Sequence, residues 1–356
     1  MKNMLPRFIF MFLLFYMTQP ILAGEYPFET TEPLGPYFSV AVSAKGKYIA
    51  GASLQGGFII VWNNSGRKTH QFKMQTISPV LVAFSPDEKK LLAVSNANDE
   101  TVLLWDLDSK KKLLQLKVPL INTTTAIKYS PDGKFFIIGQ EGQKLYFYDF
   151  EKDKGKSIDS IQLNDFYGLD IDAQSKKIMF YGSTHITILD NKGMIQNKIN
   201  LQTKMPGLNK TIELKKAGFY PQDKLWLSIV RYNLKENEHK GIQELRICDK
   251  ELNNEKNIFY EGSGLSFAKD MKSFGVVYQS INQKEGVGFL DARVYDMNGK
   301  MQIHRKGTAF KISNTFPNNG FVDIYEIALA DEPDRLYAAT HFPFLQVFEF
   351  FNFPME

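Results

Sequence analysis

Apolar residues along this chain come in short runs broken by Gly, Pro, Asp, Asn and Lys. The clearest runs end in an aromatic: Ile59-Ile60-Val61-Trp62, Val102-Leu103-Leu104-Trp105-Asp106 and Leu145-Tyr146-Phe147-Tyr148-Asp149. Trp62 and Trp105 stand 43 residues apart, as do Trp105 and Tyr148. Upstream of each run lies a turn marker, at Ser43-Ala44-Lys45-Gly46-Lys47, Ser85-Pro86-Asp87-Glu88-Lys89 and Ser130-Pro131-Asp132-Gly133-Lys134. Turn residues between short β-branched or aromatic runs predict tightly connected strands. Weaker strand ends recur at Ile188-Leu189-Asp190, Ile247-Cys248-Asp249, Val294-Tyr295-Asp296 and Val347-Phe348-Glu349. Turn markers accompany them at Asp172-Ala173-Gln174, Tyr220-Pro221-Gln222, Ala268-Lys269-Asp270 and Ala330-Asp331-Glu332. No segment keeps a helical period over three turns.

Seven copies of one unit are therefore expected, and a period of about 40–45 residues with four strands per unit is the signature of a β-propeller blade. The chain resembles the WD-repeat (G-beta-like) propeller family, most closely in its first three units. Val82-Ala83-Phe84-Ser85-Pro86-Asp87 through Leu104-Trp105-Asp106 is nearly a consensus blade of that family. The later units look more like exported bacterial propellers with degenerate repeats. The resemblance covers residues 37–351. It departs at one point, because the Gly-His pair that opens a standard WD repeat is missing from every unit, and with it the His–Asp network of that family. The five histidines (His70, His185, His239, His304 and His341) stand elsewhere. The expected fold is all-β, a seven-bladed propeller of four-stranded antiparallel blades. The seventh blade ends after its third strand, near Phe351, so the N-terminal stretch around Tyr26-Pro27-Phe28-Glu29-Thr30 is expected to pair with its open edge.

The 356-residue length suggests two domains, but the repeat makes residues 24–356 one ring and one domain. Residues 1–23 read as an export signal. Lys2 and Arg7 precede the apolar core Phe8–Met17, Pro20 breaks the segment, and Ala23 stands before the expected cut. That core is half of the roughly 20 apolar residues a membrane span needs. An exported protein, periplasmic or secreted, is expected, with no membrane span once the signal is removed. The single cysteine, Cys248, forbids an internal disulfide and sits in an apolar strand. Asn63, Asn122 and Asn209 open Asn-x-Ser/Thr sequons. Basic and acidic residues number 43 and 39, net charge +4, interspersed along the chain, and no nucleic-acid partner is expected.

Catalytic motifs are sparse. Gly264-Leu265-Ser266-Phe267-Ala268 resembles a nucleophile elbow, but no helix follows Ser266. Gly286-Val287-Gly288 lacks the third glycine of a dinucleotide loop. No His or Cys pair has metal-ligand spacing. Asp165, Asn98 and Glu141 are conceivable oxygen ligands from loops on one face. The lysine runs Lys110-Lys111-Lys112 and Lys152 to Lys156 read as solvated hairpin tips. No cofactor is expected.

What remains is where the period is interrupted. The b–c loop of the fifth unit (231–240), that of the sixth (280–288) and the connection into the seventh (about 307–320) are long against their counterparts. In a propeller these loops share one face, so Arg231, Tyr232, His239, Asn282, Lys284 and Phe316 are the candidate binding residues. The sequence thus points to a non-catalytic scaffold with a protein partner. The alternative is a propeller enzyme with a site at the channel mouth, either a lactonase-like hydrolase or a quinoprotein-like dehydrogenase.

Overall fold

The computed structural model describes residues 36–54, 56–76, 80–95, 101–118, 125–140, 142, 144–162, 165–208, 211–232, 241–282, 287–311, 324–329, 335–340 and 346–349. The first sheet holds β1–β4 (Tyr37–Val42, Tyr48–Ser53, Phe58–Asn63, Lys68–Lys73) and the second β5–β8 (Val80–Phe84, Lys90–Ser95, Val102–Asp106, Lys112–Leu116). The third holds β9–β12 (Thr125–Tyr129, Phe135–Gln140, Lys144–Asp149, Lys154–Gln162) and the fourth β13–β16 (Gly168–Ile171, Lys177–Tyr181, His185–Asp190, Ile195–Asn200). A one-turn helix α1 (Leu201–Lys204), capped by Asn200, leads to the fifth, β17–β20 (Ile212–Tyr220, Lys224–Arg231, Ile242–Cys248, Asn254–Tyr260). The sixth holds β21–β24 (Ser263–Phe267, Ser273–Asn282, Val287–Asp296, Met301–Lys311) and the last β25–β27 (Ile324–Leu329, Arg335–Thr340, Gln346–Glu349). Every sheet is an antiparallel meander in chain order. The expectation of seven four-stranded blades meets six, because β25–β27 has three strands among the described residues. The stretch expected to complete it lies outside them.

The strand-end and turn markers fall where the repeat puts them. Each apolar run ends the third strand of its sheet, and each described turn marker joins the first strand to the second. First strands line the axis, with β1 against β5, β5 against β9, β9 against β13, β13 against β17, β21 against β25 and β25 against β1. Middle strands are sandwiched between neighbouring sheets, so they read as continuous apolar runs rather than alternating ones. Ile59 to Trp62 and Leu91 to Val94 are all buried. Fourth strands form the rim and are mostly exposed; β8 and β20 carry polar residues that discourage edge pairing.

The core is a set of apolar clusters, one at each seam. Trp105, Leu91 and Val82 meet Ile59, Val61 and Phe72 between the first and second sheets, with Trp105 stacked on Phe72 at 4.8 Å. Phe136 and Tyr148 meet Leu92 and Leu104 at the next seam. The seam between β25–β27 and β1–β4 joins Tyr337 to Tyr37, Trp62, Ile49 and Ile60. Gly51 is required there, since a Cβ would lie 2.9 Å from the Tyr37 ring and 3.1 Å from Trp62. Polar ties span the seams as well. Ser43 Oγ and the Lys45 amide donate to Glu88, the Asp132 amide to Ser175, and Lys177 pairs with Asp223.

The Asn or Asp at the end of the third strand of each of the first six sheets has a structural task. Asn63, Asp106, Asp149, Asp190, Asp249 and Asp296 each turn a side-chain oxygen onto backbone amides of the following hairpin. The turn's donors are satisfied by its own first residue, an Asx turn repeated around the ring. Hydrogen bonds from Ser109 hold the Asp106 carboxyl below the ordinary aspartate value of 3.8. The Lys152 ammonium does the same for Asp149, and the Asn253 side chain for Asp249.

A depressed folded-state pKa means stability that is complete above the unfolded value and is lost as pH falls through the folded one. The urea midpoint should therefore stay level from about pH 7 to pH 5 and fall once pH drops below about 4. A midpoint that rises on acidification contradicts the assignment.

Candidate functional site

The a–b and c–d connections leave one end of the disc, the a–b end, and the b–c and d–a connections leave the other, the b–c end. At the b–c end of the fifth sheet, β18 finishes at Arg231 and β19 starts at Ile242, and the two pair directly. Side chains alternate along β19. Leu245 and Ile247 enter the seam with the sixth sheet, while Ile242, Glu244, Arg246 and Cys248 face the other way, where Cys248 joins the fourth sheet's cluster.

That alternation puts a carboxylate inside. Glu244 is 0% exposed, and it is held by two guanidiniums: Arg231 Nε donates to Oε2 at 2.5 Å and Arg246 Nε to Oε1 at 2.7 Å. A buried carboxylate is tolerable only with such partners, and removing one leaves an uncompensated charge. Arg231 remains partly exposed, whereas Arg246 is nearly covered. Beside this group the Tyr232 hydroxyl donates to Glu213 Oε2 at 2.8 Å, and Lys215 pairs with Oε1 of the same carboxylate at 2.5 Å. Burial and the Glu213 carboxylate push the Tyr232 phenol up to about 12. Burial works against ionisation of Glu213, but Lys215 and Tyr232 outweigh it and its pKa is lowered. Two large apolar side chains lie in the open on this face. Ile242 is 56% and Phe259 58% exposed, with Phe259 directly across the ladder from Glu244.

Of the candidates read from sequence, Arg231 and Tyr232 are therefore brought together on one sheet end. Asn282 is exposed at the end of β22, the corresponding edge of the sixth sheet. His239, Lys284 and Phe316 lie outside the described residues. The extension read as a loop over 280–288 is strand at residues 280–282 and 287–288. Ser280 pairs with Phe289, Ile281 with Gly288 and Asn282 with Val287, so the β22–β23 ladder extends through residues the period assigned to a loop. Residues 307–311, read as connection, belong to β24, where Phe310 pairs with Gly288 and Lys311 with Val287. The Gly and Asn residues there signal a turn locally, and ladder pairing over ten residues overrides it.

Residues outside the candidate set read from the sequence form a second polar group on the sixth sheet. Arg293 lies over the Tyr278 ring at 3.6 Å and pairs with Glu261 at 2.5 Å, and His304 Nε2 meets the buried Asp291 at 3.2 Å. Alternation on β23 sets them on one face, a signal visible only once the strand register is known.

The remaining chemical candidates are accounted for structurally. Ser266 Oγ accepts the Leu329 amide across a seam at 3.1 Å. Asp165 accepts the Ser183 and Thr184 amides and the Thr184 hydroxyl, shaping the b–c turn of the fourth sheet. Burial opposes its ionisation, and those hydrogen bonds still lower its pKa. Burial pushes the Cys248 thiol up to about 12. Asn98 and Glu141 lie outside the described residues. Among the described residues no three His, Cys, Asp or Glu side chains are grouped to hold a metal ion, and no helix is long and apolar enough to cross a membrane.

Comparison with known proteins places this geometry. No family model matches the chain. A WD repeat-containing protein of Synechocystis sp., itself described as uncharacterized, is 29% identical over 119 residues, 33% of this chain and 33% of that protein. The match thus spans about a third of the relative's length. Among solved structures, the hydrazine synthase of Kuenenia stuttgartiensis superposes with a TM-score of 0.61 at 14% identity, covering 93% of this chain and 99% of that one. That likeness is one of fold alone. The repeat, the meander sheets around an axis and the Synechocystis match agree: the chain is a WD-repeat-like β-propeller.

Proposed function

We propose that the chain is an exported, seven-bladed, non-catalytic propeller that holds a protein partner at the b–c end of its fifth and sixth blades. The observation that carries the binding reading is the exposed pair Ile242 and Phe259 beside a half-open arginine whose carboxylate partner is fully buried. An aromatic, an aliphatic and an arginine fixed on a rigid sheet are the residue types that dominate interface energetics. Arg231 is oriented before any partner arrives, which lowers the ordering cost of binding. The likeness to a WD repeat-containing protein supports a scaffold rather than an enzyme. Residues 1–23 supply the export signal, and the partner is met in the periplasm or outside the cell.

In this reading β25–β27 is the seventh blade, and the stretch around Tyr26-Pro27-Phe28-Glu29-Thr30 gives it a fourth strand. The support is the edge of β27, which has no fourth strand among the described residues, and the position of β1 against β25 and β26.

Phe259→Ala should leave thermal stability nearly unchanged, because the ring is exposed, while partner affinity falls by about 2 kcal/mol or more, roughly thirtyfold. Co-purification from the native extracellular or periplasmic fraction, comparing wild type with Phe259→Ala and Ile242→Ser, measures it. A partner retained by both variants moves the interface elsewhere. Deletion of residues 25–32 should lower the melting temperature of the whole ring in one step; an unchanged melt refutes that closure.

A further inference from the structure

Charge that is interspersed along the sequence is gathered by the fold. At the a–b end of the disc, the turns of the first two sheets span residues 43–47, 64–68, 85–90 and 106–112. They hold nine lysines and arginines against four carboxylates, a surplus of five that exceeds the whole chain's +4. Three of the turns touch, since Glu88 accepts from Ser43 and Lys45 and the Leu107 amide donates to the Lys89 carbonyl; His70 of β4, two residues past the turn at 64–68, lies with Nε2 2.7 Å from the Leu107 carbonyl.

Among the described residues, six of the nine cations stand at the surface outside any ion pair. Lys45, Lys47, Arg67, Lys89, Lys110 and Lys111 are exposed, and none of the six forms an ion pair among the described residues. The same turns in the third to sixth sheets behave differently. There Lys134 pairs with Glu151, Lys177 with Asp223, Lys224 with Glu255 and Lys272 with Asp270. In the first two sheets three of the four carboxylates are engaged by the turns themselves. Glu88 ties the sheets together, Asp87 accepts the Ser85 hydroxyl, and Asp106 caps its hairpin.

A second feature shares this end. Leu113, Met194, Ile195 and Met301, at 50%, 65%, 51% and 45% exposure, all lie in the c–d hairpin or the first residues of the fourth strand. They belong to the second, fourth and sixth sheets, so they are distributed around the rim of one end. The exposed aromatics Tyr167 and Phe259 lie at or toward the other end. A basic sector without an exposed aromatic gives nucleic-acid bases nothing to stack on. Lysines with scattered aliphatic side chains at one level match the two requirements of a lipid interface, attraction to headgroups and burial among acyl chains.

We propose that the a–b end of the disc rests on an anionic lipid surface, the basic sector of the first two sheets drawing it down and Leu113, Met194, Ile195 and Met301 entering the interface. The b–c end then faces away from the bilayer, free for a partner. The two surfaces use different residues, so each stands or falls alone.

Sedimentation with phosphatidylcholine vesicles, with and without phosphatidylglycerol, tests the proposal on the full mature chain. Wild type should bind the anionic vesicles and release them as salt shortens electrostatic reach to about 3 Å at 1 M. Lys45→Glu, Lys110→Glu and Lys111→Glu together should weaken binding at least a hundredfold, at about fivefold or more per charge removed. The same charge change at the other end, Lys73→Glu, Lys117→Glu and Lys204→Glu, should cost far less. Replacing the four aliphatic residues by Ser should leave the melting temperature unchanged and reduce vesicle binding about tenfold or more, since each buried methylene contributes to anchoring. Equal loss from both lysine triples overturns the assignment to this face, and unaltered binding by the serine variant overturns the insertion. Binding to heparin or RNA without binding to the anionic vesicles overturns the lipid reading.

Discussion

Each sheet of this protein is apolar on both faces and too narrow to bury either face alone. Its middle strands become a core only when a neighbouring sheet covers each side, so the ring has to close. The seam where Tyr337 meets Tyr37 and Trp62 is the place where the chain's end returns to its beginning. Every other seam joins sheets adjacent in sequence, at a modest entropic cost of loop closure. This one joins residues about 300 apart, and Gly51 marks how closely the two sides approach. Without it the first and last sheets would each expose a face, and the array would resemble an open stack of repeats whose ends fray.

The same constraint explains why so much of the fold is legible in the sequence. A strand covered on both faces has to be apolar at successive positions, so Val102 to Trp105 stands out against its surroundings without any alignment. The tight a–b connection demands Ser-Pro-Asp or its equivalents, because Ser85 and Ser130 each accept an amide of the next strand across the turn. The Asp that follows the aromatic is legible as a mark but not as a cause; its Asx turn appears only when the hairpin amides are in place.

The candidate site was legible in outline only. Arg231 and Tyr232 were found through the length of the loop they open, not through the chemistry they perform. Glu244 gave no signal, since a lone acidic residue in an apolar strand has no marker until the register shows two arginines on its face. The sixth unit misled for the opposite reason: Asn282, Gly286 and Gly288 look like a loop, and ten consecutive ladder pairs make most of that stretch strand. The basic sector was hidden by distance along the chain, its nine cations being scattered from Lys45 to Lys112 with carboxylates between them. Only the fold brings those turns together and engages Asp87, Glu88 and Asp106 with backbone amides of the turns.

The central claim is that closure of the ring holds all the seams together, and the three tryptophans are placed to test it. Trp62 lies in the closing seam, Trp105 between the first and second sheets, and Trp226 against Phe267 between the fifth and sixth. Urea unfolding of single-tryptophan versions, each carrying Tyr337→Ala, reads the seams separately. The account predicts that the three transitions remain coincident and move together to lower urea, since a broken closure weakens the whole ring. A Trp62 transition that shifts alone, with Trp105 and Trp226 unfolding as they do beside an intact Tyr337, would contradict it.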